Sequence, residues 1–410
     1  MKERRGLAKS LSQVKTPGLR RASPANHWTL LFVLLSLVSL AGLTLVGCKP
    51  ATREQEPTKG DIYVYVASPL SGFQANGGQT VLGGVNLMAA ELNRAGGLLG
   101  YKVNIVPMDD ESDSDIALSV AEQVRADIAA GKKVLGLIGH YNSGQTLTAM
   151  EIYKDLPLVV ITPTSSEVSI TQKGYSHFFR VNANDTVQAD VDARFLVENL
   201  GVKRIAVVHN DTEYGIGLRD AMIQSLKDLG AEAVVTLQVA EGQEAYDKEV
   251  SQIQQANPDA VFYAGYEIEA PYLRFALVQA GINVPFLASD GAFLSETIDA
   301  AEGTAEGMYV SGFAPSPKQA VDSAWIKRYQ EVEYRNPDTY SINGYSALQV
   351  LAEGVKNAQS LDADSVSNAI RGLTVETPMG QLAFESNGDL REATVYIFQV
   401  KDDAFEQVYP

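Results

Sequence analysis

The chain has 410 residues, 45% hydrophobic and 20% charged. That length and balance fit a folded globular protein with room for two ordinary domains, and they exclude a disordered chain. The net charge is −17, unevenly placed: residues 1–47 hold seven basic side chains and one acid, leaving 26 basic against 49 acidic residues, a net of −23, on the remainder. So acidic a surface excludes nucleic acid as a partner, because such binding neutralises phosphates with Lys and Arg.

Residues 1–47 read as a targeting segment. A basic stretch to Arg21 precedes "WTLLFVLLSLVSLAGLTLVG", 28–47, which carries no charge. Twenty such residues are long enough to span a bilayer, so a permanent membrane helix is one reading. The next residues favour another. "LVGC", 45–48, resembles the lipobox of bacterial lipoproteins, in which small residues precede a lipidated cysteine and cleavage falls before it. Cys48 is the single cysteine, so it cannot form an internal disulfide. Acyl chains on Cys48 would hold the protein at a membrane surface. Residues 48–60 then form a lipidated polar tether.

From Asp61 the pattern alternates. "IYVYVAS", 62–68, is a β-rich run. Leu82, Val85, Ala89 and Leu92 follow at helical spacing, and Gly96-Gly97 stops that helix. Strands are expected at 102–108, 133–139 and 156–162, with helices at 114–130 and 145–154 between them. After "RVNANDT", 180–186, a second series begins. It reads as helix 187–200, strand 204–210, helix 216–229, strand 232–239, helix 245–256, strand 259–265, helix 269–280 and strand 285–291. Short, nearly all-apolar strands are those of a parallel sheet buried on both faces. Two such series imply an α/β fold with two doubly wound lobes.

In open α/β sheets, ligands bind beyond the carboxyl ends of the strands. "GHYNSGQT", 139–146, and "TPTSSE", 162–167, both sit there. A helix start offers free N–H groups and partial positive charge, which suits a carboxylate. Ser143 and Ser166 add hydroxyls. Ser143 beside His140 resembles a nucleophile pair, but there is no G-x-S-x-G elbow and no evident orienting acid. These hydroxyls therefore read as holding groups, and no enzyme is expected. "DDESDSD", 109–115, lacks the glycine and final glutamate of an EF-hand loop and reads as an acidic turn capping the next helix. His177 and His209 have no metal-ligand spacing, so neither a metal nor a cofactor is expected.

Six stretches carry a more specific likeness: "GGQTVLGGVNLMAAELNRAGGLLGYKV" (77–103), "DDESDS" (109–114), "IGHYNSGQTLTAMEIYKDLPLVVITPTSSE" (138–167), "EYGIGL" (213–218), "FYAGYEIEA" (262–270) and "MGQLAFESNGDL" (379–390). In this order they resemble a type I periplasmic binding protein of the branched-chain amino-acid transporter class, the leucine/isoleucine/valine-binding family. The resemblance implies two lobes joined by three crossovers, at 182–187, 311–316 and 389–394. The N-terminal lobe would be 61–184 with 314–390, and the C-terminal lobe 185–313 with 391–410. It implies that Ser143 and Ser166 hold an α-carboxylate, and that the Thr164 carbonyl, Ser166 and Asp290 hold an ammonium. Tyr214 and Tyr266 would close over the ligand from the second lobe.

The side-chain pocket departs from the leucine type, with Asn76, Tyr141 and Asn142 where apolar or aromatic groups are usual. A purely aliphatic ligand would leave these polar groups unpaired. A neutral polar amino acid, an amide or a broader set is therefore open. The resemblance implies a monomer outside the cytoplasm, lipid-anchored, that delivers an amino-acid-like solute to an ABC permease. A sensory receptor of the same fold is the alternative.

Overall fold

A computed structural model describes residues 56–410. The leader, the lipobox and Cys48 lie outside the described residues. The first series comprises β1 (Asp61–Ser68), α1 (Ala75–Arg94), β2 (Lys102–Asp109), α2 (Ser114–Ala129), β3 (Val134–Gly139), α3 (Ser143–Tyr153), β4 (Val159–Thr162) and β5 (Phe178–Arg180). Its five strands lie in the order β2-β1-β3-β4-β5 and every pairing is parallel. Side chains on β1 alternate between two cores: Ile62, Val64 and Val66 enter one, Tyr65 and Ala67 the other. This is why the run is apolar at every position rather than every second one.

The second series comprises α4 (Asp185–Arg194), β6 (Arg204–Asn210), α5 (Glu213–Asp228), β7 (Glu232–Val239), α6 (Asp247–Ala256), β8 (Ala260–Ala264), α7 (Ala270–Gln279), β9 (Phe286–Ala288) and β10 (Tyr309–Gly312). The helix expected over 187–200 changes pitch: α4 ends at Arg194 and one wider π turn, Phe195–Asn199, completes it. The chain then returns to the first sheet as α8 (Ser323–Glu333), α9 (Thr339–Ala358) and α10 (Ala363–Gly372), followed by a hairpin of β11 (Thr374–Thr377) and β12 (Gly380–Ala383). It ends in the second sheet as β13 (Tyr396–Lys401) and β14 (Ala404–Tyr409).

The second sheet runs β14-β13-β10-β9-β8-β6-β7. Its strands β6 to β10 are parallel, whereas β13 and β14 are antiparallel. The second sheet is therefore parallel except at this edge. Asp402 and Asp403 form a two-residue turn with φ of 49° and 57°, and so tight a connection can only join antiparallel strands.

Within the two sheets, β2-β1-β3-β4-β5 and β7-β6-β8-β9-β10 follow one winding order. In each, the order reverses beside the first strand of its series, and a crevice opens at that switch point. The first crevice is bounded by the loops after β1 and β3, the second by those after β6 and β8. The two sheets present these crevices to one another.

Helix α9 is buried along most of its length against α1. A Cβ on Gly344 would overlap the Val81 carbonyl oxygen, and one on Gly84 would overlap that of Ser341. Glycine at both positions lets the two backbones touch. Asp338 caps α9 reciprocally with Ser341, which fixes the start of the helix, and with it Tyr340, over the cleft.

Candidate functional site

The cavity between the two crevices is lined by Tyr141, Asn142, Ser143, Thr164, Tyr214, Tyr266, Asp290, Gly291 and Tyr340.

Strand β3 ends at Gly139, and His140, Tyr141 and Asn142 turn the chain into α3. Asn142 occupies the cap position of α3 without capping it. Its amide instead donates to Gln74 Oε1 at 2.5 Å. Ser143 Oγ accepts from the Ser166 and Glu167 N–H groups, both at 3.2 Å. The hydroxyl thus ties the loop after β4 to the start of α3, while it also faces the cavity. Thr164 Oγ1 donates to the Tyr141 carbonyl at 2.6 Å, and the Thr164 carbonyl accepts from Asn182 at 3.0 Å.

Two aromatic contacts shape the walls. Tyr214 stacks on Tyr266 with ring centroids 5.3 Å apart. Tyr141 meets Tyr340 edge-on at 5.4 Å. The Tyr214 hydroxyl donates to Asp290 Oδ1 at 2.5 Å, and Gln188 Nε2 donates to the same oxygen at 2.9 Å. Asp290 Oδ2 has only a long contact, 3.5 Å, from the Tyr340 hydroxyl. Burial pushes the Asp290 carboxyl up to about 6, against the lowering effect of the Tyr214, Gln188 and Tyr340 hydrogen bonds. Among the described residues no Lys or Arg pairs with it.

Of the nine residues expected from sequence, Tyr141, Asn142, Ser143, Thr164, Tyr214, Tyr266 and Asp290 meet at this cavity. Ser166 is buried just behind it, its hydroxyl without a partner among the described residues. Asn76 lies elsewhere, at the outer rim, where it donates to both oxygens of Glu296 at 2.7 Å and accepts from Arg335 at 3.0 Å. As the second residue of α1 it projects outward, so a wall position for Asn76 is not what the fold provides.

His140 does have an orienting acid, which the sequence left hidden: Asp110 Oδ2 lies 2.6 Å from its Nδ1. The other ring nitrogen, Nε2, faces the Tyr153 hydroxyl at 3.2 Å, not Ser143. Asp110 comes from the acidic turn, whose Asp113 caps α2 as expected. His177 pairs with Asp364, and no metal-ligating cluster occurs among the described residues.

A family model described as "Periplasmic binding protein" matches residues 61–404, most of the chain. The chain belongs to the periplasmic binding protein family. It is 30% identical over 346 residues to the leucine-, isoleucine-, valine-, threonine- and alanine-binding protein of Pseudomonas aeruginosa, covering 84% of this chain and 91% of that one. Among solved structures, a leucine-binding protein of Thermotoga maritima matches with a TM-score of 0.76 and 26% identity, over 85% of this chain and 97% of that one. An ABC transporter substrate-binding protein of Desulfitobacterium hafniense, solved with Leu, matches with a TM-score of 0.71 and 26% identity, over 85% and 100%.

Sequence reasoning missed Tyr340, Gly291 and Gln188. Tyr340 lies in "TYSING", 339–344, between the fifth and sixth matching stretches. Its only local signal is the Asp338 cap, which marks a helix start and says nothing of a ligand.

Proposed function

We propose that this is an extracytoplasmic, lipid-anchored solute-binding protein that closes on an amino-acid-like zwitterion and delivers it to an ABC importer. Asp290 carries the reading. A buried carboxylate is costly without a positive partner. Its Oδ2 faces the cavity between two lobes with lone pairs to spare, and an α-ammonium supplies the missing charge. The Thr164 carbonyl, which has a second lone pair, and the Ser166 hydroxyl complete the ammonium site. The start of α3 with Ser143 takes the carboxylate. Tyr214 and Tyr266 cover the ligand. Ser143 then holds and does not attack, so no catalysis is assigned. The lobes are taken as 61–184 with 314–390 and 185–313 with 391–410, Cys48 as the lipid acceptor, and the working unit as a monomer.

Calorimetry with a panel of L-amino acids, their amides and their decarboxylated amines tests this. Tight binding confined to compounds with both α-groups supports the zwitterion. Equal binding of the amines removes the carboxylate site from the account. A sensory role predicts the same calorimetry; uptake of labelled ligand that depends on this protein separates import from sensing.

A further inference from the structure

The loop from β8 to α7 carries two acids whose surroundings differ. Glu269 is fully buried and saturated: it accepts from the Tyr263 hydroxyl at 2.7 Å, the Tyr266 N–H at 3.0 Å and the Gly242 N–H at 2.7 Å. Glu267 is 4% exposed, yet neither carboxylate oxygen has a hydrogen-bond partner among the described residues. Its backbone is pinned to the cavity wall, following Tyr266 directly and donating its N–H to the Gly291 carbonyl at 3.0 Å. Burial drives its carboxyl well above the usual range, and the nearby charges of Glu269, Glu296 and Glu241 add to that.

Two more unpartnered groups belong to this region. The Tyr141 hydroxyl, on a cavity-lining ring, has no partner of hydrogen-bond geometry. Burial raises it, and the charge of Glu267 is the next largest cause, ahead of Asp290. Gln74 uses Oε1 to accept from Asn142 and Ser112, at 2.5 and 2.8 Å, and its Nε2 is left over. Gly77 makes room for the Tyr141 hydroxyl, since a Cβ there would overlap it. Buried polar groups are normally satisfied; Tyr141 lines the cavity, Glu267 directly follows the lining Tyr266, and Gln74 bonds the lining Asn142, so the three unsatisfied groups lie on its wall or one residue or one hydrogen bond from it.

We propose that Glu267, with the Tyr141 hydroxyl and the Gln74 amide, forms a second polar recognition point in the cleft, which takes a hydrogen-bond donor on the ligand's side chain. The inference rests on the amino-acid reading above and narrows it. The ligand class is then an α-amino acid whose side chain carries an O–H or N–H group, not an aliphatic one. An aliphatic side chain leaves all three groups unpaired in a closed site, whereas a donor side chain satisfies Glu267 and turns its burial into selectivity.

Two pairs of nearly equal shape test it: L-asparagine against L-leucine, and L-threonine against L-valine. With the purified full-length chain, asparagine should bind at least about tenfold more tightly than leucine, and threonine than valine. In Glu267→Met these preferences should collapse or reverse, and in Glu267→Gln they should survive in part. Both variants relieve an unpaired buried acid, so both should melt no lower than the parent, which reports that they are folded. Leucine and valine binding as tightly as their polar counterparts would overturn this inference and leave the amino-acid reading intact. So would an unchanged preference in a folded Glu267→Met. Binding of none of the four overturns the amino-acid reading, and this inference with it.

Discussion

The Tyr340 hydroxyl donates to the Asp290 backbone carbonyl at 2.6 Å, although the two residues belong to helix and loop on opposite sheets. The bond joins the start of α9 to the loop that carries the buried acid, and so spans the cleft. Asn76 with Glu296 makes a similar link at the rim, but in contact with solvent.

Tyr340→Phe should therefore weaken closure without unfolding either lobe. A neutral hydrogen bond contributes about 0.5–1.5 kcal/mol, so ligand affinity should fall roughly 2- to 12-fold. Small-angle scattering should show the parent contracting on ligand saturation and the variant needing more ligand to do so. A variant with parental affinity would mean that closure does not depend on this bond.

Asp290→Asn keeps the shape and removes the charge. Truncating one partner of a buried charge pair costs about 2–5 kcal/mol, or about 30-fold or more in affinity. Ser143→Ala should lose less, because the backbone N–H groups of α3 remain to meet the carboxylate. Titration calorimetry on the two variants ranks the groups. Parental affinity in Asp290→Asn would show that the ligand brings no ammonium to this acid.

Ligand binding requires the ionised form of Asp290, whose carboxyl sits at about 6. Affinity for a zwitterion should therefore be flat from pH 8 to 7 and fall below pH 6, towards tenfold per unit. An affinity that is level down to pH 5 would contradict an ionised Asp290 at the site.

The protein without ligand should show the opposite trend in stability. Burial raises Asp185 to about 7, and Asp290 and Asp338 to about 6. A carboxyl raised above its unfolded value binds protons more tightly in the folded state. Its contribution is therefore fully present at low pH and is lost as pH rises through the folded value. Melting temperature should climb as pH drops from about 8 to 5, before the ordinary carboxylates begin to protonate. A fall over that window would mean these acids are ionised and paired in solution.

Cys48→Ser should remain unprocessed and incorporate no labelled fatty acid. Normal labelling of that variant would remove the lipid anchor from the proposed function.

Much of the architecture was legible in the sequence. Strand 204–210 falls where alternation with helices placed it, because a strand buried on both faces must be apolar nearly throughout and a helix must keep one apolar stripe; the edge strand 232–239 falls there too, although Glu232, Thr236 and Gln238 are exposed. Gly96-Gly97 ended α1 because both residues take positive φ, 98° and 75°, beyond the last helical turn. Strand β4 begins only at Val159, because Leu156 to Leu158 close a turn off α3 before pairing starts. The position of Ser143 and Asp290 at strand ends was likewise local information, since the carboxyl ends of parallel strands share one edge of a sheet. Tertiary structure alone decided which side chains face one another across that edge. Tyr340 meets Asp290 because glycines let α9 lie against α1. Asp110 meets His140 because β2 and β3 both flank β1. Glu267 and Glu269 are two residues apart in one loop, with the same side chain. One is saturated and the other has no partner, because hydrogen-bond satisfaction depends on where distant donors fall after packing, and no pattern along the chain encodes that distance.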